Sequence, residues 1–209
     1  NIDFKNPRIF DSDTILKLRE NPNTVTIFGA GVVGCEYTSI FRALGKKVNL
    51  INTHPELLSF LDEEISGALS YHLREKGVLV RNNERLSSIE TKADKVILHL
   101  KSGKKIPSDI ILFATGRTGN TEELAAHDLG IKMNERKNIL VSKHYESSIK
   151  NIYAVGDLTG FPNLASSAYD QGRFAASHFI NPSCDDCLVK DIPVGIYTSP
   201  EISCIGRNE

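Results

Sequence analysis

Residues 25–41 read VTIFGAGVVGCEYTSIF, with Gly29, Gly31 and Gly34 in a G-x-G-x-x-G spacing. The glycines directly follow a short apolar run, Val25–Phe28, and lead straight into residues of helical periodicity. A chain that must pass from strand to helix in so few residues has little freedom. Gly29 permits the tight turn, Gly31 leaves no side chain above the main chain, and Gly34 lets helix and strand pack together. The helix that follows presents unpaired N–H groups and about half a positive charge at its start. That end suits the diphosphate of a dinucleotide. The competing reading is a glycine-rich turn that only packs.

The surrounding pattern fits a βαβ start. Val33, Tyr37, Ile40, Phe41 and Leu44 recur at helical spacing as far as Gly45, a C-cap residue, and Val48–Asn52 reads as the next strand. A second helix is predicted over PELLSFLDEEISGALSYHLREKG, from Pro55 to Gly77, with Leu57, Phe60, Leu61, Ile65, Leu69 and Leu73 as its buried stripe. VLVRN then reads as a third strand. Beyond Ser88, short β runs joined by turn signals such as Ser102-Gly103 suggest antiparallel hairpins inserted late in a parallel-sheet domain. Further strands are expected at ILV (139–141), at IYAVGD (152–157) and within DIPVGIYTSPEISCIG, and a helix over Ser166–Ile180. The expected class is α/β: a Rossmann-like parallel sheet with an inserted antiparallel β-meander, followed by part of a second unit.

Which dinucleotide fits is decided about 20 residues on, at the tip of the second strand, where an acid normally binds the NAD ribose. That position is Asn52. A carboxylate at roughly 4 Å from the 2′-phosphate of NADP would cost about 4 kcal/mol at an effective dielectric near 20, on the order of a thousandfold in affinity. Asn52 imposes no such penalty, and its amide can serve a ribose hydroxyl, so both NAD and NADP are expected. Asn52 also reads as a plain strand-ending turn residue, and nearby His54 could approach a phosphate.

Lys and Arg number 25 against 26 Asp and Glu, a net charge of −1, so no bulk field recruits nucleic acid or an anionic membrane. No apolar run approaches membrane-spanning length and no targeting segment is evident. Four cysteines are too few and scattered for a disulfide scaffold, which points to the cytoplasm. Cys184 and Cys187 form a lone C-x-x-C with two aspartates between, which disfavour thiolate. With no second pair, no metal site is expected.

Taken together, GAGVVGCEYTSIF, ATGRTGN (114–120), NIYAVGD (151–157) and YTSPEIS (197–203) resemble, in order and spacing, the flavoprotein disulfide reductase superfamily. Longer segments, among them VNLINTHPELLSFLDEEIS, GRTGNTEELA and AYDQGR, are similar to its pyridine nucleotide transhydrogenase branch. The resemblance implies residues 1–21 as a linker, 22–118 as an NAD(P)-binding domain, 119–189 as the second half of an FAD domain, and 190–209 as the start of a dimerisation domain. The chain would then be a fragment, inactive by itself, of a homo-oligomeric enzyme.

The same resemblance implies that the amides of Ala30, Val32 and Val33 join the three glycines in holding the nicotinamide nucleotide. It places Glu36 near the nicotinamide, paired with a lysine from elsewhere, although a carboxylate in a first helical turn is also favoured by the dipole alone. Gly116 matches a glycine where the chain crosses between domains near cofactor, or serves as a hairpin-to-loop glycine. Asp157 matches a ligand of the flavin ribityl chain, and Leu164 and Ala165 the amides facing the flavin pyrimidine; unaided, Asp157 reads as a turn residue. RTGN departs from the usual R-x-P-N. The implied reaction is hydride transfer between NADPH and NAD through FAD, with no catalytic side chain in this chain. A disulfide reductase and a non-enzymatic dinucleotide-binding module are the rivals.

Overall fold

The structure is a computed structural model that describes residues 2–183, 188 and 191–208; the Cys184/Cys187 pair lies outside the described residues. Two compact units form, Asn1–Gly116 with Pro193–Glu209, and Arg117–Ile192.

In the first unit, β1 (Ile9–Phe10), β2 (Thr24–Phe28), β3 (Lys47–Ile51), β4 (Leu79–Arg81) and β8 (Ile110–Phe113) make a parallel sheet in the order β1-β8-β2-β3-β4. Both faces of such a sheet are buried, which is why the strands read as continuous apolar runs. Helices α1 (Val32–Ala43) and α2 (Glu63–Glu75) bury residues against one cluster that includes Val25, Ile27, Leu50 and Leu112. On the alternate face, Phe28, Ile51, Ile111 and Phe113 pack against Val96, Leu98, Leu100 and Ile106 of an antiparallel meander. Its strands are β5 (Leu86–Thr91), β6 (Val96–Leu100) and β7 (Lys105–Ser108). A hairpin of β9 (Val194–Ile196) and β10 (Ile202–Cys204) completes this unit.

Residues 1–21 contribute an edge strand, with Ile9 and Phe10 opposite Ile111 and Leu112. Of the apolar residues at helical spacing along α1, Phe41 is buried and Tyr37 packs against the core, but Ile40 is 47% and Leu44 64% exposed; Gly34, Cys35, Thr38 and Ser39 complete the buried face. Small residues let the helix axis approach the sheet, and proximity decided the face over hydrophobicity.

The second helix starts at Glu63, not Pro55. The main-chain groups of residues 55–58 are engaged elsewhere: Asn82 Nδ2 donates to the Pro55 carbonyl at 2.6 Å, Asn52 Nδ2 to the Glu56 carbonyl at 2.6 Å, and Leu58 N to the Ala30 carbonyl at 3.0 Å. Leu58 has φ +46°, outside the helical region. Leu57, Leu58 and Leu61 are buried from an irregular loop, whereas Phe60 and Ile65 are exposed.

The β4–β5 turn is fastened on two sides. Glu84 N donates to the Asn52 carbonyl at 2.9 Å, and the buried Glu84 carboxylate accepts from Lys104 Nζ at 2.5 Å. The Lys104 hydrogen bond, followed by one from Ser102, holds the Glu84 carboxyl below the usual carboxylate range. A carboxyl with a depressed folded pKa stabilises the fold above its unfolded value, and that contribution disappears as pH falls through the folded one. Glu84→Gln should therefore lower the thermal midpoint at pH 7. The difference from wild type should close as pH falls below about 4, the range of free carboxylates. Equal differences at both pH values would refute the coupling.

In the second unit, Ala126, Ile131, Ile139 and Ala154 form a small core, and α3 (Ala165–Ile180) buries Ser167, Gln171, Phe174 and Ala175. The strands expected at 139–141 and 152–157 do not form. A strand exists through its ladder, and among the described residues these segments make only the isolated bridges Met133–Ile139 and Glu146–Tyr153. Residues 156–159 instead make a 3₁₀ turn.

Candidate functional site

The parallel sheet brings β2 to an end beside β8, and there the chain turns at Gly29 with φ +113°. A Cβ on Gly29 would lie 2.3 Å from the Ala114 carbonyl oxygen, which follows β8. Gly29 N donates to the Ile51 carbonyl at 2.8 Å, so both neighbouring strands grip the turn. A Cβ on Gly34 would lie 1.9 Å from the Gly29 carbonyl oxygen. Gly31 differs from both. It is the N-cap of α1, is exposed, and has nothing within 4 Å of its Cβ position. Two glycines are thus required by packing, and the third borders open space.

That space faces the start of α1, where the amides of Val32, Val33 and Gly34 have no intrahelical acceptor. Helices commonly cap these donors with Ser, Thr, Asp or Asn. Here no side chain caps the end and no acid lies in the first turn. The donor set and the uncovered glycine fit an anion with several oxygens. Ala30 is buried, and its carbonyl accepts from Leu58 N and from Cys35 Sγ at 3.4 Å. Burial, with the adjacent Glu36 carboxylate adding to it, pushes the Cys35 thiol up to about 12, so it stays protonated and inert.

Asn52 sits beyond the tip of β3 but is only 3% exposed. Besides donating to the Glu56 carbonyl, its side chain accepts from His54 N at 3.2 Å through Oδ1. The amide thus shapes the 52–56 loop. Glu36, half-buried on α1, accepts from Tyr197 N at 2.9 Å through Oε1, a partner that sequence did not suggest across 161 residues. Gly116 is exposed with φ +112° and ends the first stretch of this unit.

The remaining candidates lie in the second unit. Asp157 is exposed in the 3₁₀ turn, with Arg117 Nη2 at 3.9 Å. Gly156 N donates to Gln171 Oε1 at 2.8 Å, which seats that turn on α3. Leu164 is the N-cap of α3 and Ala165 its first residue, again without a side-chain cap. Ser167 is 6% exposed and its Oγ has no partner among the described residues. A helical serine often donates to the carbonyl four residues back, but here that residue is Asn163, outside the helix with φ +52°. Uncapped amides, a buried hydroxyl without a partner among the described residues and an exposed carboxylate make this a polar end of the second unit. The departure at RTGN also has an explanation: Gly119 N donates to the Arg136 carbonyl at 2.8 Å, which proline cannot do, and a Cβ would lie 2.3 Å from the Lys137 carbonyl oxygen.

Among the described residues no cluster could hold a metal ion, and no helix is long and apolar enough to cross a membrane. The chain is similar over its whole length to proteins named soluble pyridine nucleotide transhydrogenase. Identity is 55% to that of Pseudomonas aeruginosa, 53% to that of Yersinia pestis and 52% to that of Vibrio cholerae. It spans 45% of the length of each relative. Among solved structures, the HOCl-induced flavoprotein disulfide reductase RclA from Escherichia coli superposes with a TM-score of 0.87 at 28% identity, covering 97% of this chain and 47% of that one. LpdA from Mycobacterium tuberculosis gives 0.85 at 25% identity, covering 94% and 43%. The family of pyridine nucleotide-disulphide oxidoreductases matches residues 1–172, and the glycine turn, sheet order and meander accord with it: the chain belongs to that family.

Proposed function

We propose that the full-length protein is an FAD-dependent transhydrogenase, NADPH + NAD⁺ giving NADP⁺ + NADH, in which this chain supplies the site that both nucleotides visit in turn. The observation that carries this reading is the open Gly31 between two glycines that packing requires. A main chain bare of side chains beside uncapped amides can approach a diphosphate closely. The names of the relatives, at 52–55% identity, support the reaction.

Each step assigned to this chain is binding or orientation. The amides of Val32, Val33 and Gly34 pair the diphosphate charge. The β3 tip carries a neutral Asn52, turned into its own loop, so no carboxylate repels a 2′-phosphate; that is the basis for accepting both nucleotides. Asp157 and the α3 start, with Leu164, Ala165 and the unpaired Ser167 hydroxyl, would hold FAD. Bound flavin supplies the hydride exchange, which needs no acid or base from these residues. Cys35 is buried and protonated, so it offers no thiolate for a dithiol mechanism.

The purified full-length protein should be yellow and should reduce a thio-analogue of NAD⁺ with NADPH. NADPH and NADH should bind within about tenfold of each other, a gap of about 1.4 kcal/mol. Colourless protein, or selectivity of a thousandfold for one nucleotide, would refute the assignment.

A further inference from the structure

Gln171 is a polar side chain on the buried face of α3: it is 6% exposed and shares that face with Ser167, Phe174 and Ala175. A buried amide costs free energy unless it is hydrogen-bonded, and this one meets two partners. Its Oε1 accepts from Gly156 N at 2.8 Å. The amide also hydrogen-bonds the Tyr145 hydroxyl, which works against the rise in pKa that burial, then Asp170, imposes there. Tyr145 closes the circuit, because its main-chain carbonyl accepts from Ala154 N at 3.0 Å, two residues before Gly156.

The turn at residues 156–159 needs such a partner. Val155 precedes it without a side-chain cap, so the N–H groups that open the turn must find acceptors elsewhere. Gly156 has φ +70°, and a Cβ there would lie 3.2 Å from the Ala168 Cβ, which shows how closely the turn is pressed onto α3. On the opposite flank Asn138, 8% exposed, donates through Nδ2 to the Asp157 carbonyl at 3.3 Å, and Ile139 N donates to the Leu158 carbonyl at 2.8 Å. The main chain around Asp157 is thus gripped from two sides. Its carboxylate stays exposed, with Arg117 Nη2 at 3.9 Å.

Resting on the flavin-binding reading of Asp157 above, we propose that Gln171 is a positioning residue for the flavin: by holding Gly156 N it sets the direction in which the next residue presents its carboxylate. A side chain buried inside the second unit thereby governs affinity for a ligand that it does not touch.

The dissociation constant of FAD, read from flavin fluorescence as the full-length holoprotein is diluted, tests this with two substitutions and a second background. Gln171→Met keeps the volume and removes the acceptor, whereas Gln171→Glu keeps an acceptor for Gly156 N. Gln171→Met should weaken FAD about tenfold, a difference of about 1.4 kcal/mol, and Gln171→Glu should stay within about threefold of wild type. Losses at two residues that act through one contact do not add. With Asp157→Ala in place, Gln171→Met should therefore cost no more than about a further twofold, while a residue that merely holds the unit together would cost the same tenfold again.

Equal losses in the two backgrounds, wild-type FAD affinity in Gln171→Met, or a Gln171→Glu protein as weak as Gln171→Met overturns the proposal. A wild type that holds no FAD, or an Asp157→Ala protein that binds it undiminished, overturns the flavin reading itself and this inference with it. Should Gln171→Met not fold, Gln171→Asn, one methylene shorter, withdraws the acceptor instead, and equal losses in the two backgrounds again overturn the proposal.

Discussion

Gly34→Ala should destabilise the protein by about 3 kcal/mol or more, at the upper end of what an overpacked core costs. The added methyl would sit 1.9 Å from the Gly29 carbonyl oxygen, a backbone atom with no rotamer to escape into. Relief requires α1 to move off β2, which would open the core around Cys35 and Phe41. Helix propensity works the other way, since Ala is better than Gly by up to about 1 kcal/mol inside a helix. The steric term should prevail. Urea unfolding measures the outcome, and a Gly34→Ala protein as stable as wild type would contradict the packing described for α1.

Gly31→Asp should do the reverse, leaving the fold intact and abolishing nucleotide binding. Nothing lies within 4 Å of the Cβ position, and the backbone at φ −77°, ψ −170° is one that any residue adopts. Aspartate is a favoured N-cap and Gly is nearly as good, so stability should stay within a few tenths of a kcal/mol or rise slightly. The carboxylate would occupy the anion position and satisfy the very amides proposed to hold the diphosphate. Repulsion between unit charges at roughly 4 Å is about 4 kcal/mol at an effective dielectric near 20, so NADPH affinity should fall on the order of a thousandfold. Calorimetric titration beside a thermal melt reads both quantities. Unchanged affinity in a folded Gly31→Asp protein would place the nucleotide elsewhere.

Only the first of the glycine roles needs neighbours distant in sequence, which is why the turn could be read so directly. Its spacing, a preceding apolar run and a following helix are local facts. The meander was legible for a similar reason, because Val96, Leu98 and Leu100 alternate with half-buried residues at a period of two.

Other features depended on groups far along the chain. The helix predicted from Pro55 lost its first eight residues to hydrogen bonds with Ala30, Asn52 and Asn82. Asn52 looked available to a ribose, yet its amide ties down its own loop, a use that residue type and position cannot reveal. The apolar spacing along α1 did not reveal its whole buried face, because closeness to the sheet favoured Gly34, Thr38 and Ser39 over Ile40 and Leu44. The contact between Glu36 and Tyr197 left no sequence signal, since its donor is a main-chain N–H that every residue but proline possesses.

The sheet order also bears on how the protein is made. The strand that flanks Gly29, Ile110–Phe113, is separated from it by the whole meander, and the Ala114 carbonyl that crowds the turn comes later still. On the ribosome, where domains fold from the N-terminus as they emerge, the Val25–Phe28 strand must wait for some ~80 further residues before its second neighbour exists. Until then one edge of it is unpaired and open to mispairing, so the Gly29 turn acquires its final surroundings only after the meander and the strand that follows it have been made.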